Sequence, residues 1–401
     1  MNLERNLFFK LYLFSNIVTA IIYIYSGKIG GDLRGYDLNH PLIMLLALII
    51  VIVSMYTLLY FLYGFLEKSI KVKKIFLEDN IDYFYLDVFF ILLNISFGYF
   101  SFKYDIGIAG VEIDSSVPKI PLYLFIIMQP IFLTYIYLAY TSNIKRKLFV
   151  VNAILILLFS ILKGWLSSFI YLTFIFIIVN NAFIFKHKLK FMLGIVVGIV
   201  LSPFLKFFKS VVSVVNTSQN GDSYIEAIDL VMSYKNINSL LDLFNLYLVS
   251  TIERFEHVGI LYYSLVENNI DVVLKDKITP FFAEGWIQNR IYDVFTLHST
   301  TDLQIALAQK IHNAYSWRVN TPISLWMIVD SQMILLIAIY TITLLMLVIF
   351  ISKLLSEKVV NLSWIATLVM LFHGWFYSFS LYIQALVVFA CIVFFIRIVK
   401  A

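Results

Sequence analysis

One long stretch of the chain, from about residue 209 to about residue 329, is too polar to lie in a bilayer and carries eight cationic side chains. The cations of this stretch are Lys209, Lys235, Arg254, Lys275, Lys277, Arg290, Lys310 and Arg318. A guanidinium group binds phosphate through two parallel hydrogen bonds, and an ammonium group binds it as a point charge. Both groups can stabilise a departing diphosphate without a metal ion. The stretch therefore predicts a site for a phosphorylated substrate, for which a lipid-linked sugar diphosphate is a natural candidate.

Several common catalytic patterns are absent from the sequence. It has no glycine-rich phosphate loop followed by lysine, no His-Glu-x-x-His and no Gly-x-Ser-x-Gly. The histidines of the stretch, His257, His298 and His312, form no i, i+4 pair of the kind that binds zinc. These absences argue against a hydrolase, an ATP-driven pump and a metal centre, and we expect no cofactor.

The composition places the chain in the membrane. It has 401 residues, of which 61% are apolar and only 14% are charged, whereas soluble domains are about half apolar and a quarter charged. Cys391 is the only cysteine, so no disulfide can form within the chain.

Apolar runs of about the length needed to cross hydrocarbon predict ten membrane-spanning helices. They cover residues 7–26, 41–64, 82–101, 120–140, 148–162, 166–185, 191–208, 329–351, 360–378 and 381–398. We therefore predict an all-α polytopic membrane protein with about ten transmembrane helices and one long, largely helical outer (periplasmic) loop. In chain order, residues 1–208 form transmembrane helices 1–7, residues 209–328 an outer loop domain with amphipathic helices, and residues 329–401 transmembrane helices 8–10. The run 148–162 is short, and the hairpin around His373 to Ser380 could instead be re-entrant.

The basic residues of the short links predict the orientation. Alternate links carry Lys68, Lys71, Lys73 and Lys74, then Lys145, Arg146 and Lys147, then Lys186, Lys188 and Lys190, then Lys353 and Lys358. Links rich in lysine and arginine stay in the cytoplasm. This rule places both termini in the cytoplasm and the long stretch on the outside, where Lys163 would be an unusual outer-edge lysine.

Within the long stretch, the pattern of apolar residues predicts two helices. Ser239 to Glu267 reads as one amphipathic helix that places Glu253, Glu256 and His257 on a common polar face. Residues 278–290 read as a loop broken by proline and glycine. A second helix is predicted from Thr301 to about Ala314.

Three short elements carry a resemblance to a known family. They are Lys163-Gly164-Trp165-Leu166-Ser167-Ser168 between two spans, Arg254 within IERFEHVG, and His312-Asn313-Ala314-Tyr315 before the eighth span. Together with the many spans and the late outer loop, they resemble Wzy-type O-antigen or capsule repeat-unit polymerases and, more distantly, O-antigen ligases. The His-x7-Gly pattern of the ligases is missing, because no glycine lies between His312 and Gly374. This difference favours the polymerases.

The resemblance implies a glycosyltransferase of the bacterial cytoplasmic (inner) membrane. A hydroxyl of one lipid-linked repeat unit would attack the first sugar of the growing chain, and undecaprenyl diphosphate would leave. The implied catalytic residues are Arg254, Glu256, His257, Arg290 and His312, and the implied substrate-binding residues are Lys163, Glu284, Asn313, Tyr315 and Arg318. Among them, Glu256, His257 or Glu284 would act as general base. The implied partners are lipid-linked oligosaccharides, the bilayer and a chain-length regulator protein, without nucleic acid.

Each of these residues also has a structural interpretation. Arg254 could lie on a solvated helix face, and His312 could make a structural hydrogen bond. Arg318 could anchor the eighth span at the interface, as Asn313 and Tyr315 also could. Glu284 could be a solvated loop residue. Asp32 and Asp37 could bind a metal or, in their glycine-rich turn, bond to local backbone.

Two other functions remain open. A polysaccharide flippase or other transporter would carry ionisable groups at mid-membrane and an internal repeat, and the sequence shows neither. A membrane O-acyltransferase would place a catalytic histidine and arginine near the first spans. Only His40 and Arg34 are found there, and their order is reversed.

Overall fold

A computed structural model describes residues 3–72, 83–108, 116–141, 147–163, 167–180, 188–217, 223–267, 278–296, 301–312 and 318–400. Over these ranges the secondary structure is helical, apart from two isolated bridges, Lys28–Asp37 and Ile278–Thr301. Six of the described helical stretches are long and apolar enough to cross a membrane: Glu4–Ser26, Pro41–Ser69, Tyr83–Lys103, Lys119–Thr141, Ser331–Leu355 and Phe376–Ile396. The chain is therefore a polytopic α-helical membrane protein, as the composition predicts.

The helices of the first half of the chain follow the apolar runs. They are α1 Leu3–Ser26, α2 Pro41–Met55, α3 Tyr63–Ser69, α4 Tyr83–Lys103, α5 Lys119–Met128, α6 Pro130–Thr141, α7 Lys147–Leu162, α8 Ser167–Val179 and α9 Lys188–Thr217. A π-helical turn, Tyr56–Leu62, joins α2 to α3 without a break. Gln129, in a left-handed conformation before Pro130, separates α5 from α6 within the fourth predicted span.

Apart from the long helices near its end, the second half of the chain forms short helices. They are α10 Tyr224–Tyr234, α11 Leu240–Ile252, α12 Val258–Val266, α13 Trp286–Thr296, α14 Leu303–His312, α15 Ile323–Val329, α16 Ile334–Leu355, α17 Glu357–Ala366 and α18 Phe376–Lys400. The predicted helix from Thr301 is confirmed as α14. The predicted loop at residues 278–290 is wrong in its second half, where α13 begins at Trp286.

The predicted ninth span, 360–378, is interrupted. A π-helical turn, Thr367–Leu371, follows α17, and α18 begins only after a turn at residues 372–375. Gly374 has φ +65° in this turn, a conformation that glycine adopts without strain. The boundary predicted at residue 208 falls inside α9, which continues to Thr217.

Contacts between residues divide the chain into two compact units. One contains Met1–Ile75 and Ile252–Ala390, and the other contains Phe76–Thr251 and Cys391–Ala401. In the first unit, α1 packs against α2, α12 and α17, while α12 also packs against α2 and α15. In the second unit, α4 packs against α6 and α7, and α8 packs against both α6 and α7.

Buried polar side chains join the helices of the second unit. Asn94 donates to Asn152 Oδ1 at 3.4 Å and accepts from the Thr134 hydroxyl at 3.1 Å. Asn152 also donates to the carbonyl of Asp87 at 3.0 Å, and the Asp87 carboxylate accepts from the Tyr137 hydroxyl. These bonds fix α4, α6 and α7 against each other, because a buried polar group without a partner is costly in hydrocarbon.

A partly buried ion pair fixes one end of α1 in the first unit. The two terminal guanidinium nitrogens of Arg5 donate to the Glu67 carboxylate of α3, at 2.6 and 2.9 Å. The side chain of Arg5 is 8% exposed and that of Glu67 is 23% exposed. Next to this pair, Glu4 accepts from the Asn361 amide of α17 at 3.0 Å.

We expect Arg5→Leu to lower the free energy of unfolding by about 2–3 kcal/mol, because Glu67 is left as an uncompensated charge. The double variant Arg5→Leu/Glu67→Leu should recover most of this loss. Arg34→Leu is the matched control, since the Arg34 side chain is 56% exposed and such pairs contribute at most about 1 kcal/mol. Unfolding in mixed micelles measures all three. A double variant less stable than the single one would contradict the interpretation.

Candidate functional site

The helix predicted from Ser239 to Glu267 is broken at its centre. Here α11 ends at Ile252, a 3-10 turn covers Glu253–Phe255, and Glu256 is extended with φ −95° and ψ 151° before α12 begins at Val258. The prediction of one continuous helix is therefore wrong. The prediction that Glu253, Glu256 and His257 share one polar helix face is wrong for the same reason, since helical spacing does not apply across the break.

The amide of Asn16 on α1 satisfies the backbone at this break. Its Nδ2 donates to the carbonyl of Phe255 at 3.1 Å, and its Oδ1 accepts from the N–H of His257 at 2.8 Å. Next to it, the Ser15 hydroxyl donates to the carbonyl of Ile252 at 2.8 Å. Breaking a helix leaves N–H and C=O groups without helical partners, and α1 supplies them here.

A polar stripe on α1 makes these contacts. It consists of Tyr12, Ser15, Asn16, Thr19 and Tyr23, which recur at steps of three and four and so share one helix face. Sequence reasoning missed this stripe because it treated the first apolar run only as a span. The spacing of its polar residues was the available signal.

The contact with Asn16 places the broken turn deep along α1. Asn16 lies ten residues before Ser26, where α1 ends, a rise of about 15 Å. Irregular backbone within a helical bundle requires partners within the protein, and the α1 stripe provides them.

Two buried histidines meet beside the broken turn. The ring centroids of His257 and His373 are 4.1 Å apart, with an interplanar angle of 76°. His257 is fully buried and stacks on Phe372, and among the described residues neither of its ring nitrogens has a hydrogen-bond partner. Burial lowers the pKa of His257 to about 4. His373 bonds through Nε2 to the Tyr12 hydroxyl at 3.1 Å. Sequence reasoning used His373 only to mark a hairpin and did not connect it with His257.

A small cleft opens on the other side of the broken turn. It is lined by Gly30, Asp32, Leu33, Glu253, Glu256, Ile260 and Asn320, and its inner space of about 10 Å³ is close to the size of one water molecule. Gly31 has φ +61°, and a Cβ atom there would lie 3.1 Å from Glu256 Oε1. A Cβ atom on Gly30 would lie 2.1 Å from Glu253 Oε1. The glycines thus let the loop at residues 27–40 pack directly against the two carboxylates.

Glu256 is the buried acid of this cleft. Its Oε2 accepts from the N–H of Gly259 at 3.0 Å, and its Oε1 accepts from the Tyr23 hydroxyl at 3.2 Å. Burial raises the pKa of Glu256 to about 7, and Asp32 adds to this effect, whereas the Gly259 N–H opposes it. A carboxyl group with a pKa near neutrality can accept a proton and release it again under physiological conditions.

Arginines lie next to these carboxylates. Arg34 of the first loop pairs with Glu253 at 3.0 Å. The side chain of Arg254 is exposed, and its carbonyl accepts from Asn320 Nδ2 at 3.2 Å. The N–H of Asn320 in turn donates to Asp32 Oδ2 at 2.9 Å. Asp32 therefore bonds to the backbone of a segment that is distant in sequence.

Three further predicted residues form a second group in the same unit. Burial raises the pKa of Glu284 well above its usual range, and the negative charge of Asp302 adds to this effect, whereas Arg318 opposes it. Arg318 pairs with Asp302 at 2.7 Å. The hydroxyl of Tyr377 lies within electrostatic range of Arg318, Asp302 and Arg290. The interpretation of Glu284 as a solvated loop residue is wrong, since the residue is 2% exposed.

The segment at residues 318–321 links the two groups. Arg318 belongs to the second group, Asn320 bonds to Arg254 and Asp32, and the Thr321 hydroxyl donates to the carbonyl of His373 at 3.2 Å. The Cα atoms of Arg318 and Asn320 can be no more than about 7 Å apart. The structure therefore brings Arg254, Glu256, His257 and Arg318 into one neighbourhood, which Glu284 and Arg290 adjoin.

The remaining predicted residues lie elsewhere or outside the described residues. Lys163 belongs to the second unit, where it is 1% exposed and donates to the Ser101 hydroxyl at 2.7 Å. Burial lowers the pKa of Lys163 to about 7, and its place at the outer edge of the membrane stays a prediction. The side chain of His312 and the whole of Asn313 and Tyr315 lie outside the described residues.

We expect Asn16→Leu to lower the free energy of unfolding by about 2–4 kcal/mol, because the carbonyl of Phe255 and the N–H of His257 both lose a buried partner. Asn6→Leu is the matched control, since Asn6 lies on the same helix at a half-buried position. Denaturant titration in mixed micelles compares the two variants. Equal effects would show that Asn16 does not support the break.

Glu256 and His257 contribute to stability with opposite pH dependences. The folded-state pKa of Glu256 is raised, so the folded chain holds a proton that the unfolded chain releases, and stability falls as pH rises from about 4.5 to about 7. The folded-state pKa of His257 is lowered, so stability rises as pH rises from about 4 to about 6.5. Each effect corresponds to about 3 kcal/mol. The two largely cancel in the natural chain.

We expect single substitutions to separate these contributions. In Glu256→Gln, the melting temperature should rise between pH 4 and pH 6.5 as His257 loses its proton. In His257→Phe, it should instead fall between pH 4.5 and pH 7 as Glu256 loses its proton. Glu226→Gln, at an exposed helix cap, is the control and should follow the natural chain. Parallel profiles for all four proteins would rule out the opposed titrations.

Comparison with known proteins finds no relative of this chain. The chain matches no protein-family model, no curated protein and no solved structure. Among the residues that the structure describes, no group of three or more histidine, cysteine, aspartate or glutamate side chains could hold a metal ion. The function is therefore argued from the site itself.

Proposed function

We propose that the chain is an integral-membrane glycosyltransferase, a polymerase that joins polyprenyl-diphosphate-linked oligosaccharide repeat units into O-antigen or capsular polysaccharide. The observation that carries the proposal is the cleft at Glu256. A buried carboxyl group with a pKa of about 7 lines it, and Arg34 and Arg254 lie on the two segments that form it. A base in a cleft, with cations on the segments that form it, is an arrangement suited to transfer from a diphosphate.

In the proposed reaction, the Glu256 carboxylate takes the proton of an acceptor sugar hydroxyl. The oxygen forms a bond to the anomeric carbon of the donor sugar as the bond from that carbon to the diphosphate oxygen breaks. Undecaprenyl diphosphate leaves with the bonding electron pair, and the chain is transferred to the newly arrived repeat unit. Each cycle leaves Glu256 protonated, and a pKa of about 7 lets it return the proton to water.

The arginines would stabilise the leaving diphosphate. Arg254 is exposed beside the cleft, and Arg318 is connected to the same neighbourhood through Asn320. Arg290, which adjoins Arg318 at Tyr377, would hold the second lipid-linked unit. His257 has no charge at neutral pH in its buried position. We assign it to packing of the broken turn rather than to proton transfer.

The proposal includes a topology. Ten spans with basic links in the cytoplasm would place both termini inside the cell and the cleft toward the outer face of the cytoplasmic membrane. The substrates would be undecaprenyl-diphosphate-linked oligosaccharides, and a chain-length regulator protein would be a partner. Reporter fusions after Ser26 and after residue 72 would test this orientation.

The function can be tested in a strain from which the gene is deleted, by resolving surface glycan on a gel. We expect the deletion to give a single-repeat product and the natural chain to restore the ladder of lengths. The Glu256→Gln and Arg254→Ala variants should each reduce the amount of polymerised glycan at least 100-fold, while the protein accumulates normally. Lys28→Ala, an exposed cation in the same first loop, is the control and should retain the ladder. A normal ladder from both site variants would refute the assignment.

One observation favours a transporter as the second candidate. His257 and His373 are buried against the middle of α1, where Tyr12 and Asn16 contact them. Irregular backbone and buried titratable groups within a helical bundle are typical of transport sites. Loss of all surface glycan from the deletion strain, rather than a single-repeat product, would favour a flippase.

A further inference from the structure

An apolar groove lies on the surface of the second unit. It has a volume of about 450 Å³ and is lined by Ile95, Tyr99, Phe102 and Lys103 of α4 and by Phe159 of α7. The α4 residues recur at steps of four, three and one, so they share one helix face. Ile95, a large apolar residue, is 46% exposed, and Tyr99, a large aromatic residue, is 67% exposed.

The floor of the groove is fixed by a close contact between the two helices. A Cβ atom on Gly98 would lie 2.6 Å from Cζ of Phe159, so the aromatic ring rests directly on the glycine backbone. Phe102 flanks the same ring, with centroids 6.2 Å apart. The groove is therefore a preformed feature of the α4–α7 contact.

A single cation marks one end of the groove. Lys103 is the last residue of α4, and its ammonium lies 5.9 Å from the Tyr99 ring centroid and 5.3 Å from that of Tyr104. Since α4 is long and apolar enough to cross a membrane, its last residue lies where lipid headgroups begin. A lysine at this level, held between aromatic rings, offers a positive charge to a lipid phosphate.

The length of the groove defines its occupant. From Ile95 to Lys103 is eight residues, or about 12 Å along the helix. One leaflet is about 15 Å thick, half of the hydrocarbon core. The groove therefore matches the upper part of a single acyl chain, and the one ammonium matches a single phosphate. A zwitterionic headgroup would bring a second cation toward Lys103, so an anionic headgroup is the complementary one.

We propose that this groove is a specific site for one anionic glycerophospholipid, with its phosphate on Lys103 and an acyl chain against Phe159. The site is independent of the glycosyltransferase proposal, because its residues belong to the second unit and take no part in the cleft at Glu256. The ligand is a structural lipid that stabilises the α4–α7 contact.

Native mass spectrometry of the full chain in neutral detergent tests this site. The purified protein is titrated with phosphatidylglycerol, with phosphatidylcholine of the same acyl chains, and with inorganic phosphate. We expect one phosphatidylglycerol to bind at least fivefold more tightly than phosphatidylcholine, and phosphate alone not to displace it. Lys103→Gln should weaken phosphatidylglycerol binding about fivefold, the effect of one lysine on an anionic lipid. Ile95→Trp, which fills the groove, should weaken binding of both lipids.

Lys147→Gln is the matched control, an exposed lysine at the other end of α7, and should bind phosphatidylglycerol normally. Melting temperatures without lipid show that each variant is folded. Equal binding of the two lipids, or normal phosphatidylglycerol binding by a folded Lys103→Gln variant, would overturn the proposal. Displacement by inorganic phosphate would also overturn it, by showing an anion site without a lipid chain. Displacement by a polyprenyl diphosphate at lower concentration would reassign the groove to a carrier lipid.

Discussion

The two hydrogen bonds that join the Asn16 amide to the broken turn support the geometry of the candidate site. One side chain on α1 takes the place of helical hydrogen bonds at the point where α11 gives way to α12. Because the chain is extended at Glu256, this residue and His257 point to opposite sides of the turn. The carboxyl group reaches the cleft beside the first loop, whereas the imidazole packs against His373. A continuous helix could not separate two neighbouring side chains in this way.

This arrangement also gives the two neighbours different electrostatic environments. Glu256 keeps polar partners, the Gly259 N–H and the Tyr23 hydroxyl, so its pKa rises only to about 7. His257 is surrounded by rings and, among the described residues, has no partner on either nitrogen, so its pKa falls to about 4. Burial thus favours the neutral form of both groups, but only Glu256 titrates near neutrality. Sequence reasoning treated them as equivalent candidates for the general base, and the geometry distinguishes them.

The features that sequence reasoning predicted correctly are those set by local composition. Six of the long apolar runs, such as the one that becomes α16, form helices long enough to span a membrane, and the helix from Thr301 has a local periodicity of its own. The break after Ile252 has no proline or glycine to announce it. It depends on Asn16, about 240 positions earlier in the chain. The burial of Glu284 and of Lys163 is likewise a property of the packed structure, which no local pattern contains.

The separation between Asn16 and its partners has a consequence for biogenesis. The first span enters the membrane carrying Tyr12, Ser15, Asn16 and Thr19, yet the residues that bond to Asn16 and Ser15 are synthesised only after about 240 further residues. At ordinary translation rates this interval is roughly 10–50 s. During that time the polar face of the first helix faces an apolar medium without its native acceptors. The insertion machinery, or water at the translocation site, must therefore shelter this helix until the late segment arrives.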